Sequence, residues 1–231
     1  MGVFSHDSSK GHVMKRLTKE EQIQQLYGSC VGERNLVVGC GSQGELESIS
    51  RIFPNSLFVG IDPEVDLASS SGNISYVKGD IQNLQFEDSK FDFVYCYHVL
   101  EHVDNVNLAV SEIRRVLKSS GWSFIGTPNK ERIFGYLSAD AQFLSKLKWN
   151  ATDWSMRFRG KFKNEHGAHA GFTKVELRNL MSKEFSLVND VTSDYYSLLY
   201  SNYPNFLAII HKLGLARFTF PSLYFLVSNR N

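Results

Sequence analysis

The chain has 231 residues, 42% of them hydrophobic, which is enough to bury one sizeable core. Its 25 basic and 24 acidic side chains leave a formal net charge of +1, so no overall field attracts nucleic acid or an anionic membrane. Binding of a polyanion would need a local patch of positive charge. The three cysteines are too scattered for a disulfide framework and no CxxC pair indicates structural zinc, so we expect a reduced, cytoplasmic protein.

Alternating strand and helix patterns predict an α/β fold. Short runs rich in β-branched and aromatic residues predict strands at Asn35–Gly39, Leu57–Ile61, Ile74–Lys78, Phe91–Cys96, Trp122–Thr127, Phe185–Val191 and Leu223–Val227. Most of these runs are continuously apolar. Such strands are typical of a parallel sheet that is covered on both faces.

Helix boundaries are predicted from capping residues, which are Thr18 with Glu21, Asp104 or Asn105, and Thr173 with Glu176. The helix that follows Asn105 should run from about Val106 to Lys118, because its apolar residues form one stripe. Gly121, just past that end, is typical of a helix terminator. The helix that Thr173 opens should continue through Leu177, Leu180 and Met181.

We expect a single domain over residues 1–231, with an N-terminal helical segment at 1–34 and additions at about 130–170 and 194–221. The first residues lack the apolar stretch of a secretory signal, so no targeting segment is expected. The most apolar late stretch, residues 206–220, is interrupted by charged residues and is too short to cross a bilayer. No transmembrane segment is therefore predicted.

A glycine-rich loop, "NLVVGCGSQGE" from Asn35 to Glu45, follows the first strand. Its glycines match the spacing of a dinucleotide-binding loop, in which the next helix points its amides at a pyrophosphate. Here, however, Glu45 and Glu47 stand in the first turn of that helix, where carboxylates would repel the phosphate. A ligand that carries adenosine without phosphate fits this loop better.

Acidic residues end the next two strands. Asp62, in "FVGIDPE", can accept hydrogen bonds from both hydroxyls of a ribose, and Asp80, in "YVKGDIQNL", can accept one from an adenine amine. Ile81 offers an apolar surface to the adenine ring. Because the ends of parallel strands meet at one crevice, three consecutive strands supply groups for one nucleoside.

These motifs resemble those of the class I S-adenosylmethionine-dependent methyltransferases, particularly the small-molecule group. The resemblance runs from Leu36 to Asn129 through "VVGCGSQGE", "GIDPE", "GDIQNLQF", "FDFVYCYHVLEHV" and "IRRVLKSSGWSFIGTPN". It implies a Rossmann-like, doubly wound, seven-stranded sheet with a final antiparallel strand, and methyl transfer from S-adenosylmethionine that leaves S-adenosylhomocysteine. The cofactor contacts that it implies are Gly39, Gly41, Asp62, Pro63, Asp80, Ile81, Tyr97 and His98.

Histidines in "YHVLEHV" and "NEHGAHAGF" supply candidate acid/base groups, which are His98, His102 and His169. A second interpretation is a divalent metal held by these three and Glu101. That pattern is similar to small-RNA 3′-end methyltransferases and metal-dependent quinone-precursor O-methyltransferases, which carry glutamate where this chain has His98. A third interpretation is structural, since Glu-His before Val103 is common in the wider family without metal. We do not assume a metal.

Several features bear on the acceptor. Asn129, after the fifth strand, and His166 are predicted to contact it. The basic and aromatic segment Arg157–Lys163 could stack a single-stranded nucleic acid, although a solvated strand or loop is the favoured interpretation. The aromatic-rich segment Asp194–Phe225 should either wall an apolar acceptor site or cover the sheet as core.

The sequence therefore predicts a methyltransferase that acts on oxygen or nitrogen of a small or medium organic acceptor. An RNA methyltransferase, with or without a metal, is one alternative. A non-catalytic protein that binds the cofactor is another, and a dinucleotide-dependent reductase is the rival that the glycine spacing suggests. The oligomeric state is not predicted.

Overall fold

The computed structural model describes residues 24–41, 44–65, 72–135, 142–164, 169–201 and 203–229. Within these ranges the strands form one seven-stranded sheet, composed of β1 (Arg34–Val38), β2 (Leu57–Asp62), β3 (Ile74–Lys78), β4 (Phe91–Tyr97), β5 (Leu117–Pro128), β6 (Leu187–Asp190) and β7 (Ser222–Ser228). The strand order is β3-β2-β1-β4-β5-β7-β6, and β7 runs antiparallel to both of its neighbours. The other pairings are parallel. The predicted fold class is confirmed.

Helices connect these strands. They are α1 (Gly44–Ile52), α2 (Val106–Val116), α3 (Phe143–Phe158), α4 (Lys174–Met181), α5 (Thr192–Leu199), α6 (Pro204–Lys212) and α7 (Ala216–Thr219), with 3₁₀ turns at Gly28–Cys30 and Ile81–Asn83. The predicted helix start at Thr18 and Glu21 lies outside the described residues, as does most of the predicted N-terminal segment. Over the ranges described, no helix combines the length and the apolar character that crossing a membrane requires.

Strand β1 explains why the sheet carries helices on both faces. Leu36 and Val38 are buried in a hydrophobic cluster that includes residues of α2 and α4. Val37, which lies between them, is buried in a second cluster that includes residues of α1 and α6. Because successive side chains of a strand point to opposite faces, a strand that is apolar at every position must be covered on both sides.

Helix α2 begins where the sequence predicts and ends earlier. The Asn105 side chain caps it by accepting a hydrogen bond from the backbone N–H of Leu108 at 3.1 Å. The predicted end at Lys118 was wrong, since the helix stops at Val116. Leu117 already belongs to β5 and pairs with β4, so from this residue the backbone is part of the sheet.

Strand β5 is longer than predicted and contains Gly121. The predicted start at Trp122 was wrong because the strand begins at Leu117. Gly121 lies inside the strand, so its prediction as a helix terminator was also wrong. A Cβ atom there would come within 2.8 Å of the backbone oxygen of Asp92 on β4, beside an irregularity in the pairing of the two strands. The glycine therefore permits a close approach between backbones.

The aromatic-rich segment Asp194–Phe225 covers the sheet. Tyr196, Phe220 and Tyr224 are each at most 3% exposed and belong to the second cluster. The rings of Tyr196 and Phe220 stack at 4.1 Å, and those of Tyr195 and Tyr224 stack at 3.9 Å. Of the two interpretations that the sequence left open, core packing describes these side chains.

The basic segment Arg157–Lys163 is partly structural. The Arg157 guanidinium lies 3.8 Å from the centre of the buried Phe162 ring and donates hydrogen bonds to the backbone oxygens of Lys130 and Arg132. The first two residues of the segment, Arg157 and Phe158, belong to helix α3, so the interpretation of the whole segment as a strand or loop was wrong. This aromatic and cationic pair stabilises the protein instead of stacking on a nucleic acid base.

Thr173→Ala is expected to lower the free energy of unfolding by about 1 kcal/mol. The predicted capping box is confirmed, because Thr173 Oγ1 accepts the N–H of Glu176 at 3.1 Å and the Glu176 carboxylate accepts the N–H of Thr173 at 2.8 Å. The substitution removes one of these two bonds. Urea unfolding measures the loss, and Thr173→Ser, which keeps the hydroxyl, serves as the control. Equal stability of the two variants would contradict the prediction.

Candidate functional site

A cavity of about 390 Å³ lies at the carboxyl ends of β1, β2, β3 and β4. Its lining residues are Val38, Gly39, Ile61, Asp62, Pro63, Gly79, Asp80, Ile81, Gln82, His98, Val99, His102, Val103 and Asp104. They come from the segments after four strands, where open α/β sheets bind their ligands. The volume is in the range of small-molecule and cofactor sites.

The glycine loop forms a tight turn at this cavity. Gly39 has a φ of +71°, and a Cβ atom on it would come within 2.3 Å of the Val99 side chain. Glycine is therefore required at this position both for the backbone conformation and for the space. Gly41, two residues on, does not line the cavity. Its N–H donates a hydrogen bond to Asp62 Oδ2 at 2.9 Å, so it orients the carboxylate at the end of β2.

Asp62 is held by two backbone donors. Besides the bond from Gly41, its Oδ1 accepts the N–H of Glu64 at 2.9 Å. Each carboxylate oxygen can accept more than one hydrogen bond, so both oxygens retain capacity toward a ligand. The loop after β2 thus presents a carboxylate of defined orientation to the cavity, with Pro63 beside it.

Asp80 and Ile81 follow β3. The Asp80 carboxylate caps the 3₁₀ turn by accepting the backbone N–H of Gln82 at 2.8 Å, and it also accepts from the side-chain amide of Gln82. Ile81 is 4% exposed and supplies an apolar part of the lining. Asp80 therefore has a structural role in the loop, and its place in the lining leaves it in reach of a ligand.

Tyr97 and His98, at the end of β4, point to different environments. The Tyr97 ring packs beneath the sheet, stacked on Tyr224 at 6.0 Å, and does not line the cavity. His98 does line it, with a φ of +55° that is uncommon for a residue other than glycine. Side chains alternate along the strand, and the backbone turns at His98. Tyr97 and His98 therefore lie in different environments although they are adjacent in sequence.

His98 is fixed by contacts at both ring nitrogens. Its Nδ1 lies 3.2 Å from Glu101 Oε1, and its Nε2 lies 3.3 Å from the hydroxyl of Ser222 on β7. The Glu101 side chain is fully buried, and no group described in the structure offers it a hydrogen bond of good angle. The same Glu101 oxygen lies 3.9 Å from His102 Nε2. The buried Glu101 carboxylate therefore lies between the two imidazoles of His98 and His102.

His169 packs on the same cluster from a later loop. Its ring centre lies 4.5 Å from that of His102, in an edge-to-face arrangement. Burial lowers the pKa of His169 from its ordinary value, and the nearby charges of His102, His98 and Arg132 lower it further, while Glu101 partly opposes them. His169 does not line the cavity. It therefore supports His102, which does.

This lowered pKa predicts a pH dependence of stability. Below the ordinary histidine pKa the unfolded chain binds a proton at His169 that the folded chain resists, so stability falls as the pH falls through that range. In His169→Asn, which suits the positive φ of +43°, this contribution is absent. Thermal unfolding between about pH 7 and pH 5 should show a smaller decline for the variant. Parallel curves for the two proteins would contradict the prediction.

The remaining predicted residues are placed as follows. Asn129 is 1% exposed; its amide nitrogen donates to the backbone oxygens of Arg217 and Phe220, and its oxygen accepts from Glu131. Its side chain thus ties the loop after β5 to the segment before β7 and does not line the cavity.

His166 lies outside the described residues. Within the described ranges, no three histidine, cysteine or acidic side chains are arranged as a metal site.

Sequence reasoning missed Ser222, Gln82 and Asp104. Gln82 and Asp104 lie within a few residues of predicted positions, so a search of the flanking residues would have included them. Ser222 is 124 residues from His98 along the chain, and no local pattern marks it. Its position depends on the pairing of β7 with β5.

The lining contains three aspartates and, in the part of the chain that the structure describes, neither lysine nor arginine. Such a lining opposes the two phosphates of a dinucleotide and suits a nucleoside that carries positive charge. A carboxylate held at the end of β2, an acidic group after β3 and a glycine turn after β1 thus form a candidate nucleoside site on a Rossmann-like fold.

Comparison with known proteins shows similarity to methyltransferases. A family profile described as "Methyltransferase domain" matches residues 36–125. The ubiquinone biosynthesis O-methyltransferase of Marinobacter nauticus is 28% identical over 184 residues, which cover 72% of this chain and 76% of that protein. The sterol 24-C-methyltransferase of Yarrowia lipolytica is 32% identical over 124 residues, which cover 48% of this chain and 32% of that protein.

Solved structures agree on the fold. Phosphoethanolamine N-methyltransferase 2 from Haemonchus contortus, in complex with S-adenosylhomocysteine, superposes with a TM-score of 0.54 at 15% identity, covering 92% of this chain and 53% of that one. Together these matches support a class I S-adenosylmethionine-dependent methyltransferase, an enzyme whose cofactor is S-adenosylmethionine.

Proposed function

We propose that this enzyme methylates an oxygen atom of a small organic acceptor, with His98 as the general base. The observation that carries the proposal is the position of His98. Its imidazole lines the cavity that contains the proposed cofactor residues, and a buried carboxylate lies 3.2 Å from its Nδ1. Nitrogen is the alternative acceptor atom, and an amine that is already neutral has no need of the base.

The proposed cofactor residues are Gly39, Asp62, Pro63, Asp80 and Ile81 in the lining, with Gly41 orienting Asp62 from outside it. Asp62 would accept hydrogen bonds from the ribose hydroxyls, for which its two oxygens are already oriented by backbone donors. Ile81 would contact the adenine, with Asp80 accepting from the adenine amine. When bound, S-adenosylmethionine supplies a methyl group on a positively charged sulfur, and the acidic lining suits that charge.

The proposed proton transfer uses the geometry around His98. A hydroxyl is a weak nucleophile at neutral pH, and a base with a pKa near neutrality takes its proton as the new bond forms. With Glu101 near Nδ1, that nitrogen carries the proton of the neutral ring, which leaves Nε2 as the accepting atom. Glu101 then stabilises the imidazolium that results. Ser222 lies on the Nε2 side and would orient the acceptor or a water molecule.

The relative from Marinobacter nauticus carries the name of an O-methyltransferase in ubiquinone biosynthesis. We therefore propose an aromatic hydroxyl as the acceptor group. A phenol has a pKa near 10, so it gives up its proton more readily than an aliphatic alcohol does. The ring of such an acceptor would occupy the apolar part of the lining, beside Val99 and Val103.

An acceptor screen tests the proposal. The purified chain is incubated with methyl-labelled S-adenosylmethionine and, in separate reactions, with catechols, simple phenols, primary amines and RNA, each with and without Mg²⁺. Mass spectrometry should detect O-methylated phenols without any need for the metal. Methylation of RNA alone, dependent on Mg²⁺, would replace the proposal with the RNA alternative. Cofactor binding by calorimetry without any methyl transfer would support the non-catalytic alternative.

A further inference from the structure

Helix α3 (Phe143–Phe158) packs on the protein through its polar side. Asp153 on this helix is buried and forms an ion pair with Arg132 at 3.0 Å. Asn150 accepts the N–H of Gly135 at 2.7 Å and donates to the oxygen of that residue at 3.2 Å. Arg157 donates to two backbone oxygens of the loop after β5. A surface helix normally buries its apolar side chains and exposes its polar ones, whereas α3 makes its contacts with the protein through these polar side chains.

The side of α3 next to these polar residues is apolar and exposed. Phe143, Leu147, Trp154 and Phe158 are 73%, 51%, 37% and 84% exposed, and at helical spacing they fall within about 60° of one another. We call these four residues the apolar face of α3. Monomeric soluble proteins rarely expose a contiguous apolar surface of this kind without a binding role.

The exposed apolar surface continues beyond the helix. Ile133 and Phe134, in the loop that is hydrogen-bonded to Asn150, are 41% and 59% exposed. The backbone N–H of Ile133 donates to the oxygen of Phe218, which is itself 38% exposed. The loop thus links α3 to α7, and the apolar side chains extend across both.

Positive charge accompanies this surface. Lys148, Arg159, Lys161 and Lys163 are all exposed, on the helix or in the five residues after it. Asp153 is the single acidic residue of the sequence between positions 143 and 163, and it is buried against Arg132. Although the whole chain is nearly neutral, this segment therefore presents cations beside aromatic and aliphatic side chains. It is a local patch of the kind that a polyanion requires.

We propose that the apolar face of α3 docks on the surface of an anionic lipid bilayer, with the helix lying in the plane of the interface. Aromatic and aliphatic side chains on one side of a helix and basic residues beside them are typical of interfacial helices, and tryptophan is enriched at the membrane interface. The basic side chains would contact lipid phosphates. This property is separate from the proposed methyl transfer.

Charge favours a bilayer over a second copy of the chain. Two copies that packed through this face would each bring exposed cations to the contact and no exposed acidic side chain of the helix. An anionic bilayer offers opposite charge across the whole patch. The exposed cations therefore favour an anionic bilayer, which also accepts apolar side chains, over a second copy of the chain.

Vesicle flotation tests the proposal with the full chain. The probes are vesicles of phosphatidylcholine alone and of phosphatidylcholine mixed with phosphatidylglycerol in equal amounts. We expect flotation with the anionic vesicles, weaker binding at high salt, and little binding to the neutral ones. The double variant Leu147→Glu and Phe158→Glu should lose most of its binding. The single variants Lys161→Gln and Lys163→Gln should each weaken partitioning of the protein to the anionic vesicles by about 5-fold.

Val175→Glu is the matched control, since Val175 is 67% exposed on α4 and lies outside α3. It should float as the unmodified protein does. Circular dichroism and cofactor binding show whether each variant is folded. Failure of the unmodified chain to bind anionic vesicles, or equal loss in the control, would overturn the proposal. So would a dimer, detected by sedimentation velocity, that the Leu147→Glu change dissociates, because the occupant would then be a second copy.

Discussion

His98→Asn is expected to lower kcat for a phenolic acceptor by about 10²- to 10⁴-fold, the usual contribution of a general base. Asparagine is the informative replacement because it tolerates the positive φ of +55° that His98 adopts, so the backbone at the end of β4 is preserved. The side chain that remains cannot accept a proton at neutral pH. The dissociation constant for S-adenosylmethionine should change far less than kcat does.

Two parallel variants sharpen this result. Ser222→Ala removes the hydroxyl 3.3 Å from His98 Nε2 and leaves the base, so the loss in kcat should be small. His102→Gln tests whether the second histidine of the cavity is the base. The loss in kcat should therefore be large in His98→Asn and small in both of the others. A full loss in His102→Gln with little change in His98→Asn would assign the base to His102.

Asp62→Ala is expected to raise the dissociation constant for S-adenosylhomocysteine at least about 100-fold. A hydrogen bond to a charged group contributes about 1.5–3 kcal/mol, two ribose hydroxyls are proposed to donate to this carboxylate, and each 1.4 kcal/mol is tenfold in affinity. The substitution also leaves the N–H of Gly41 without its partner, which loosens the loop. Isothermal titration calorimetry with the full chain measures the change.

Glu64→Ala is the matched control for Asp62. Glu64 carries the same charge, lies two residues away and is exposed, and its backbone N–H would still donate to Asp62. Its substitution should leave cofactor affinity nearly unchanged. Thermal unfolding checks that both variants are folded. If the two variants bind S-adenosylhomocysteine equally well, the ribose is not held by Asp62.

Local patterns predicted the strands well because each strand is apolar at consecutive positions and buried on both faces. The start of β5 was predicted less well. Leu117 and Lys118 continue the helical pattern of α2, yet the structure places them in β5, where Lys118 forms an ion pair with Asp92 at 2.7 Å. Competition between a helix and a strand for the same residues is decided by pairing with β4, which the residues themselves do not encode.

The candidate site shows the same division. Asp62, Asp80 and the glycine turn lie within a few residues of a strand end, so a linear motif marks them. Asn129 also follows a strand, but its amide donates to backbone oxygens of residues 217 and 220, which lie 88 and 91 positions later. The sequence shows which residue types follow each strand and cannot show which of their hydrogen bonds the fold uses.

By itself the sequence determined the α/β class, the family resemblance and the acidic strand ends, because periodicity and short motifs act over neighbouring residues. Only the tertiary structure decided that the aromatic segment covers the sheet, that Arg157 stacks on Phe162, and that α3 turns its apolar side outward. Each of these depends on which distant surface a side chain meets. That choice follows from the pairing of β5 with β7 and the packing of the loops after them, which bring together residues far apart in the chain.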